Sequence, residues 1–384
     1  MRVLHVSSGN LYGGIERMLA TLARHRSACP AMDPEFALCF EGRVSGELRA
    51  LGAPVHLLGA VRASRPASVW RARRALRAAL GRGAFDVVVC HAPWPHAVFA
   101  PVVRTSGVPL ALWVHGQLTG GHWTERWARR TAPDVAVCNS RYTAGTLGAV
   151  FAGVRSAVVY PPVAPRVRGA ASRADVRREL STPDDAIVVV HVARMEELKG
   201  HRVLLHALSA LRGAADWVCW LVGSAQRPRE ARYVEELRAL ARDLRITDRV
   251  RFCGRPPEVA GVYAAADVYC QPNTGPEGFG ITFVEALAAG LPVVTTGIGA
   301  APEVVDATCG VLAPPNDAAA VAAALRALVS DPPLRARLAA GAVARAALLC
   351  DPGARLAQLH ATLGTVARRG ARTARARALA GVPT

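Results

Sequence analysis

Two carboxylates, Glu277 and Glu285, stand eight residues apart around a glycine pair in QPNTGPEGFGITFVEALAAGLPVVTT, residues 271–296. The stretch opens as a Pro, Asn and Gly loop, turns helical over about 279–289, stops at Gly290 and resumes as the apolar run 291–295. That order predicts loop, helix, tight turn and strand. Gly278 and Gly280 lack a Cβ, so backbone N–H groups at the start of the helix can approach an anion that the helix dipole also favours. A phosphate suits such a place. The spacing does not make the two glutamates a close catalytic pair. Glu277, on the loop, faces what lies beyond the phosphate, and Glu285 points along the helix toward a second polar group such as a ribose diol. Carboxylates beside a phosphate need cations nearby, or hydroxyls that donate to them. One cation is marked by composition: of 47 Lys and Arg residues only Lys199 is lysine. In a chain so biased toward arginine, a compact ammonium where the planar guanidinium was not substituted fits a tight phosphate pocket.

Lys199 ends a second stretch, HVARMEELKG at 191–200, which also carries Arg194. Together the two stretches resemble the signature of the retaining, nucleotide-sugar-dependent enzymes of glycosyltransferase family 4. The shared pattern is Glu-x7-Glu from Glu277 to Glu285 around Gly278-Phe279-Gly280, then Ala-x-Gly-x-Pro-Val at 288–293, with a strand-end Arg194 and Lys199-Gly200 upstream. Met195 stands where the family more usually has Leu, a volume-conserving change. The resemblance implies an α/β, GT-B architecture of two doubly wound, Rossmann-like domains that face each other across a cleft and close to exclude water. It also implies roles: Arg194 and Lys199 on the donor diphosphate, Glu277 on the donor sugar and Glu285 on the ribose. Gly278, Phe279 and Gly280 belong to the same donor motif. Gly13 and Gly14 would lie in a loop against the diphosphate, Gly223 and Gly254 in loops lining the nucleotide pocket, and His115 near the donor sugar and the acceptor.

The elements that must position these residues repeat one grammar. Strands at 1–6, 36–40, 55–58, 86–90 and 110–114 alternate with helical stretches, so a parallel sheet covered by helices is expected. Gly13 and Gly14 sit in the first strand-to-helix loop, a doubly wound opening. His91, His96 and His115 follow the fourth and fifth of these strands, where parallel sheets place their ligands. Of the three, His115 is the substrate-contacting candidate, and no metal-ligand spacing joins them. Trp123 and Trp127 read as packing residues, with one able to floor a sugar. A last strand at 158–162 leads into a basic linker at 165–174. Strands at 187–192, 217–222, 250–252, 267–272 and 310–313 then rebuild the pattern around helices at 201–211 and 230–240. The expected domains are 1–165 for the acceptor, 175–352 for the nucleotide sugar, a helix at 353–366 returning to the first domain, and a basic tail at 367–384.

Composition removes other classes. The chain of 384 residues is 51% apolar, enough for two cores. Nine Cys without Cys-x-x-Cys spacing read as buried hydrophobes, not as disulfides or a zinc site. No secretory leader and no run of roughly 20 apolar residues is present, so a cytoplasmic protein is expected, with the inner membrane face as its other station. The formal charge of +18 is spread over arginine-rich helices without interleaved aromatics, which argues against nucleic acid. The row Arg71, Arg74 and Arg77 is where an anionic membrane would touch.

The expected reaction is transfer of a hexosyl group from a nucleotide-diphosphate sugar, uridine diphosphate by default, to an acceptor hydroxyl on a small natural product, with retention. No pair of carboxylates about 5 Å apart, as a retaining glycosidase needs, is evident. The resemblance implies front-side attack assisted by the leaving diphosphate, with no cofactor beyond the co-substrate and no metal. Rival readings are a cell-envelope glycolipid or polysaccharide glycosyltransferase, a nucleotide-sugar epimerase, and an anion-binding protein.

Overall fold

The computed structural model describes residues 1–164, 172–211, 213, 216–254, 256 and 259–379, with side chains up to 368. The chain divides into two compact units, Met1–Val163 with Asp351–Thr384, and Ala164–Cys350.

The first unit holds seven parallel strands: β1 (Arg2–Ser7), β2 (Asp33–Leu38), β3 (Val55–Leu57), β4 (Val87–His91), β5 (Leu110–Val114), β6 (Val135–Cys138) and β7 (Ser156–Val158), in the order β3-β2-β1-β4-β5-β6-β7. All residues of β4 to β6 are buried, as expected where helices cover both faces. The helix Pro66–Arg82 buries Val69, Leu76 and Leu80 and leaves Arg71, Arg74 and Arg77 in solvent, the division that 3.6-residue periodicity requires. β7 is earlier and shorter than the expected 158–162, because the prolines that follow cannot donate to a ladder. The terminal helix Pro352–Leu379 belongs to this unit. It buries Leu356, Leu359, Leu363 and Val366, and Gln358 Nε2 donates to Val158 O at 2.9 Å. It outruns the expected 353–366 because the Ala- and Arg-rich continuation favours helix. The tail side chains from 369 and residues 380–384 lie outside the described residues.

The second unit holds six parallel strands: β8 (Ile187–Val192), β9 (Trp217–Val222), β10 (Val250–Gly254), β11 (Val268–Gln271), β12 (Val293–Thr296) and β13 (Gly310–Ala313), in the order β10-β9-β8-β11-β12-β13. Its entry helix, Arg173–Glu179, begins inside the last two residues of the stretch read as linker, 165–174, whose residues 165–171 lie outside the described ones. The fully buried Arg177 ties that helix down by donating to Asp267 Oδ2 at 2.7 Å and to the carbonyls of Ala186, Asp184 and Ala265. Both sheets change strand direction of growth at one place, between β1 and β4 and between β8 and β11. Such switch points open a crevice beyond the carboxyl ends of the strands.

Candidate functional site

At the β8/β11 switch point, the loop after β8 and the signature loop after β11 are laced together. Thr274 N donates to Leu198 O at 3.1 Å, and the Thr274 hydroxyl to Glu197 O at 3.2 Å. Gly200 takes a left-handed φ of 74°, and a Cβ there would stand 1.7 Å from Pro272 O, so only glycine admits this approach. The lacing sets Lys199 Nζ against Glu277 Oε2 at 2.5 Å, with each side chain about one-fifth exposed. Glu277 is fixed from its other side, since its carbonyl accepts from Ala300 N at 2.9 Å and a Cβ on Gly299 would lie 2.5 Å from Glu277 N. The structure thus brings together a cation and a carboxylate that lie 78 positions apart in sequence.

Arg194, on the same loop, pairs with Glu196 Oε1 at 2.8 Å and remains 39% exposed, so its guanidinium stays open to a further anion. Glu196 was not singled out from sequence; its position two residues after the arginine was the available signal. Gly223 and Gly254 build this loop from behind. Gly223 N donates to Gly254 O at 2.7 Å, and a Cβ on Gly223 would fall 1.9 Å from Ala193 O. The observed work of Gly223 is therefore close backbone packing against the residue before Arg194, and that of Gly254 is to supply the carbonyl that holds Gly223.

The signature helix runs Ile281–Ala288, two residues later than expected, because Gly280 adopts a φ of 91° that a right-handed helix cannot contain. No side chain caps it. Phe279 is buried in the core, so within the donor motif it packs the turn. Glu285 is 7% exposed and accepts from Tyr263 Oη at 3.3 Å. It lies one turn inside the helix, well separated in role from the loop-borne Glu277. Below the loop, Gln271 accepts from Tyr269 Oη at 2.7 Å and donates to Asn273 Oδ1 at 2.9 Å, while Thr296 Oγ1 donates to Asn273 O at 2.7 Å. This buried network rigidifies the approach to Glu277, and polar residues inside an apolar strand pattern were its only trace in the sequence.

The switch point of the first unit is different in kind. His5 on β1 pairs in register with Phe36 and Val89, and His91, two residues after Val89, pairs with Trp113. Because side chains alternate along a strand, His5, His91, Trp113 and then His115 share one face of the sheet. His5 Nδ1 meets His91 Nε2 at 2.9 Å, and His91 Nδ1 meets His115 Nε2 at 3.0 Å. The Trp113 ring stacks on both His91 and His115. Burial pushes the His5 and His115 imidazoles down to about 3, and burial, with the neighbouring His5 and His115, holds His91 well below the ordinary imidazole range. His91 is the last residue of β4 rather than a loop residue, and His5 was missed because it sits in an ordinary-looking apolar strand. His96 is set apart, its Nε2 against Thr131 O at 2.7 Å.

Gly13 opens the helix Gly14–Arg24, and its N–H already meets Glu16 Oε2 at 2.9 Å. What Gly13 offers a ligand in this arrangement is the missing Cβ. Trp123, expected to pack, is 46% exposed and stacked on Trp127 at 6.3 Å, so packing describes Trp127 better. All nine cysteines are free, and Cys90, Cys138, Cys219 and Cys270 are buried, each with its thiol pushed up by burial. Among the described residues, no helix is long and apolar enough to cross a membrane.

Comparison with known proteins identifies the family. Residues 172–345 match the family described as "Glycosyl transferases group 1", and residues 12–167 match "Glycosyltransferase Family 4". A D-inositol 3-phosphate glycosyltransferase of Catenulispora acidiphila is 32% identical over 290 residues, which cover 69% of each chain. A GDP-mannose-dependent alpha-(1-6)-phosphatidylinositol monomannoside mannosyltransferase of Mycolicibacterium smegmatis is 31% identical, over 73% of this chain and 77% of that one. A D-inositol 3-phosphate glycosyltransferase of Streptomyces bingchenggensis is 37% identical, over 48% of this chain and 42% of that one. Among solved structures, Anabaena HepE in complex with UDP-glucose superposes with a TM-score of 0.82 at 24% identity, covering 95% of this chain and all of that one. Sucrose-phosphate synthase from Thermosynechococcus elongatus superposes with a TM-score of 0.78 at 18% identity, covering 95% and 99%. These two likenesses concern the fold, two Rossmann-like domains of the GT-B type; by sequence, the chain belongs to glycosyltransferase family 4.

Proposed function

We propose that this glycosyltransferase moves a hexosyl group from a nucleotide-diphosphate sugar to a hydroxyl of a small polyol acceptor, with the anomeric configuration retained. The observation that carries the reading is the contact of Lys199 with Glu277 at the β8/β11 switch point. It sets an ammonium suited to a diphosphate beside a carboxylate suited to sugar hydroxyls. Arg194 adds a second, partly exposed cation on the same loop. In the step itself, the acceptor oxygen bonds to the anomeric carbon on the face from which the diphosphate oxygen departs. The acceptor proton passes to that departing oxygen. Lys199 and Arg194 stabilise the charge growing on the diphosphate, and the neutral His115 offers a hydrogen bond to a donor oxygen. Glu285, held by Tyr263, is the partner for the ribose.

The acceptor class draws support from the relatives, two of which carry inositol phosphate in their names. A glycolipid acceptor with an inositol phosphate headgroup is the second reading, favoured by the mannosyltransferase relative. The deciding experiment scans nucleotide sugars by thermal shift, then assays the stabilising donor with inositol phosphate and with phosphatidylinositol in vesicles. Retention is read from the anomeric proton coupling of the product. Product from the soluble acceptor with inverted configuration would overturn the mechanism, and a donor panel without any stabilisation would overturn the site.

A further inference from the structure

Three imidazoles of the first unit, His5, His91 and His115, form an unbroken line. Each link, His5 Nδ1 to His91 Nε2 and His91 Nδ1 to His115 Nε2, takes one nitrogen from each ring. A neutral imidazole has one N–H and one lone pair, so both nitrogens of His91 are committed, one as donor and one as acceptor. Fixing the direction of one link therefore fixes the other, and with it the tautomer at both ends.

Two directions exist. With the protons pointing inward, His115 and His91 donate from Nε2, and His5 is left carrying its own N–H on Nε2. That atom is buried, on a side chain with no exposed surface, and has no hydrogen-bond partner among the described residues. With the protons pointing outward, His5 and His91 donate from Nδ1, the orphan at His5 Nε2 is a lone pair, and His115 carries its proton on Nδ1. Buried N–H groups without partners are rarer in folded proteins than under-satisfied acceptors, so the outward direction is favoured. His115 is partly exposed, and its Nε2 is the nitrogen that meets His91, so in this direction its Nδ1 carries the proton left for a ligand. An imidazolium at either end would need to donate from both nitrogens, and burial opposes charge on all three rings.

We propose that His5 and His91 are positioning residues that hold His115 as a neutral imidazole protonated on Nδ1, so that it serves as a hydrogen-bond donor to an oxygen of the sugar donor rather than as a base. The assignment to the sugar donor rests on the function proposed above; the imidazole line does not. His5 precedes residues 12–167, the span matched by the family of the first unit, so the line reaches beyond the part that the match covers.

The test uses the full-length protein with isotope-labelled histidine and long-range proton–nitrogen correlation spectra at neutral pH, the His115 signals being assigned with a His115→Asn variant. His115 protonated on Nδ1 is expected; protonation on Nε2, or on both nitrogens, overturns the proposal. The second arm compares His5→Asn, whose amide can donate from near the Nδ1 position, with His5→Leu, which cannot. The Asn variant should keep the His115 tautomer and turnover, whereas the Leu variant should mix the tautomers and lower kcat about tenfold with little change in the donor KM. Equal losses in both variants would mean that position 5 matters through packing alone and would overturn the relay. The wild-type spectrum decides the question even if the Leu variant does not fold. Neither spectrum needs substrate. If His115 carries its proton on Nδ1 while His115→Ala turns over normally, the line stands and its assignment to the sugar donor is overturned.

Discussion

The two switch points share a topology and differ in electrostatics. Between β8 and β11 the protein presents charge, with Lys199 against Glu277 and Arg194 against Glu196. Between β1 and β4 it presents uncharged rings, joined nitrogen to nitrogen and stacked on Trp113. The parallel sheet supplies a crevice in both places, and the side chains at the strand ends decide what it can hold. A diphosphate asks for cations; an uncharged sugar asks for directional donors and acceptors. On the proposed function, the β8/β11 switch point suits a diphosphate, and the β1/β4 switch point suits uncharged hydroxyls.

The comparison is broken most directly by removing charge from the second domain. Lys199→Ala should lower turnover by about a hundredfold or more, the scale of losing one transition-state donor, and near-normal turnover in a folded variant would separate the ion pair from catalysis. Lys199→Arg should also lose at least about tenfold, because a wide fork cannot replace the ammonium in the same contact.

Next in size is the backbone approach beneath that pair. Gly200→Ala forces a Cβ against Pro272 O and a side chain into left-handed φ, so a loss of about 3 kcal/mol or more is expected. In a thermal melt that amounts to roughly 6–12 °C for a domain of this size.

Acid should then distinguish the domains. In the first, burial depresses His5, His91, His96 and His115; in the second it depresses His191 and His201. Each of these rings binds a proton more readily once unfolded, so the stability it contributes is complete above about pH 6.5 and is lost as pH falls toward its folded value. Each histidine contributes a slope of up to about 1.4 kcal/mol per pH unit in that window. Hydrogen exchange resolved by segment should show the first sheet opening earlier as pH drops from about 6.5 to about 4; equal opening of both sheets would remove the contrast drawn above.

The smallest effect sharpens the glycine argument. Gly254 also has positive φ, 60°, but a Cβ there meets nothing within 4 Å. Gly254→Ala should cost only the conformational strain, about 1 kcal/mol, and a loss as large as that at Gly200 would show that strain rather than contact governs both.

What the sequence disclosed follows the same division. Lys199 and Glu277 lie in short motifs whose glycines, carboxylates and cation are local signals, and strand-helix alternation exposed both sheets. The imidazole line depends on which residue of β1 faces which residue of β4, and those two strands are separated by a connection running from Ser7 to Val87. No local pattern around His5 carries that information. The late start of the signature helix turned on one left-handed glycine, and Trp123 was misjudged because four-residue spacing does not say which side of a helix is covered.

Lys199 has one more consequence, for labelling. It is the only lysine side chain, so apart from the N-terminal ammonium, which donates to Ala31 O at 2.7 Å, the chain has no other primary amine. An acylating reagent therefore has a single side-chain target, and a lysine-specific endoprotease a single peptide bond to cut. Both targets sit where the ammonium is clasped by Glu277. Tagging yield at that amine, followed by mass spectrometry with and without a nucleotide sugar, turns the protein into its own occupancy gauge.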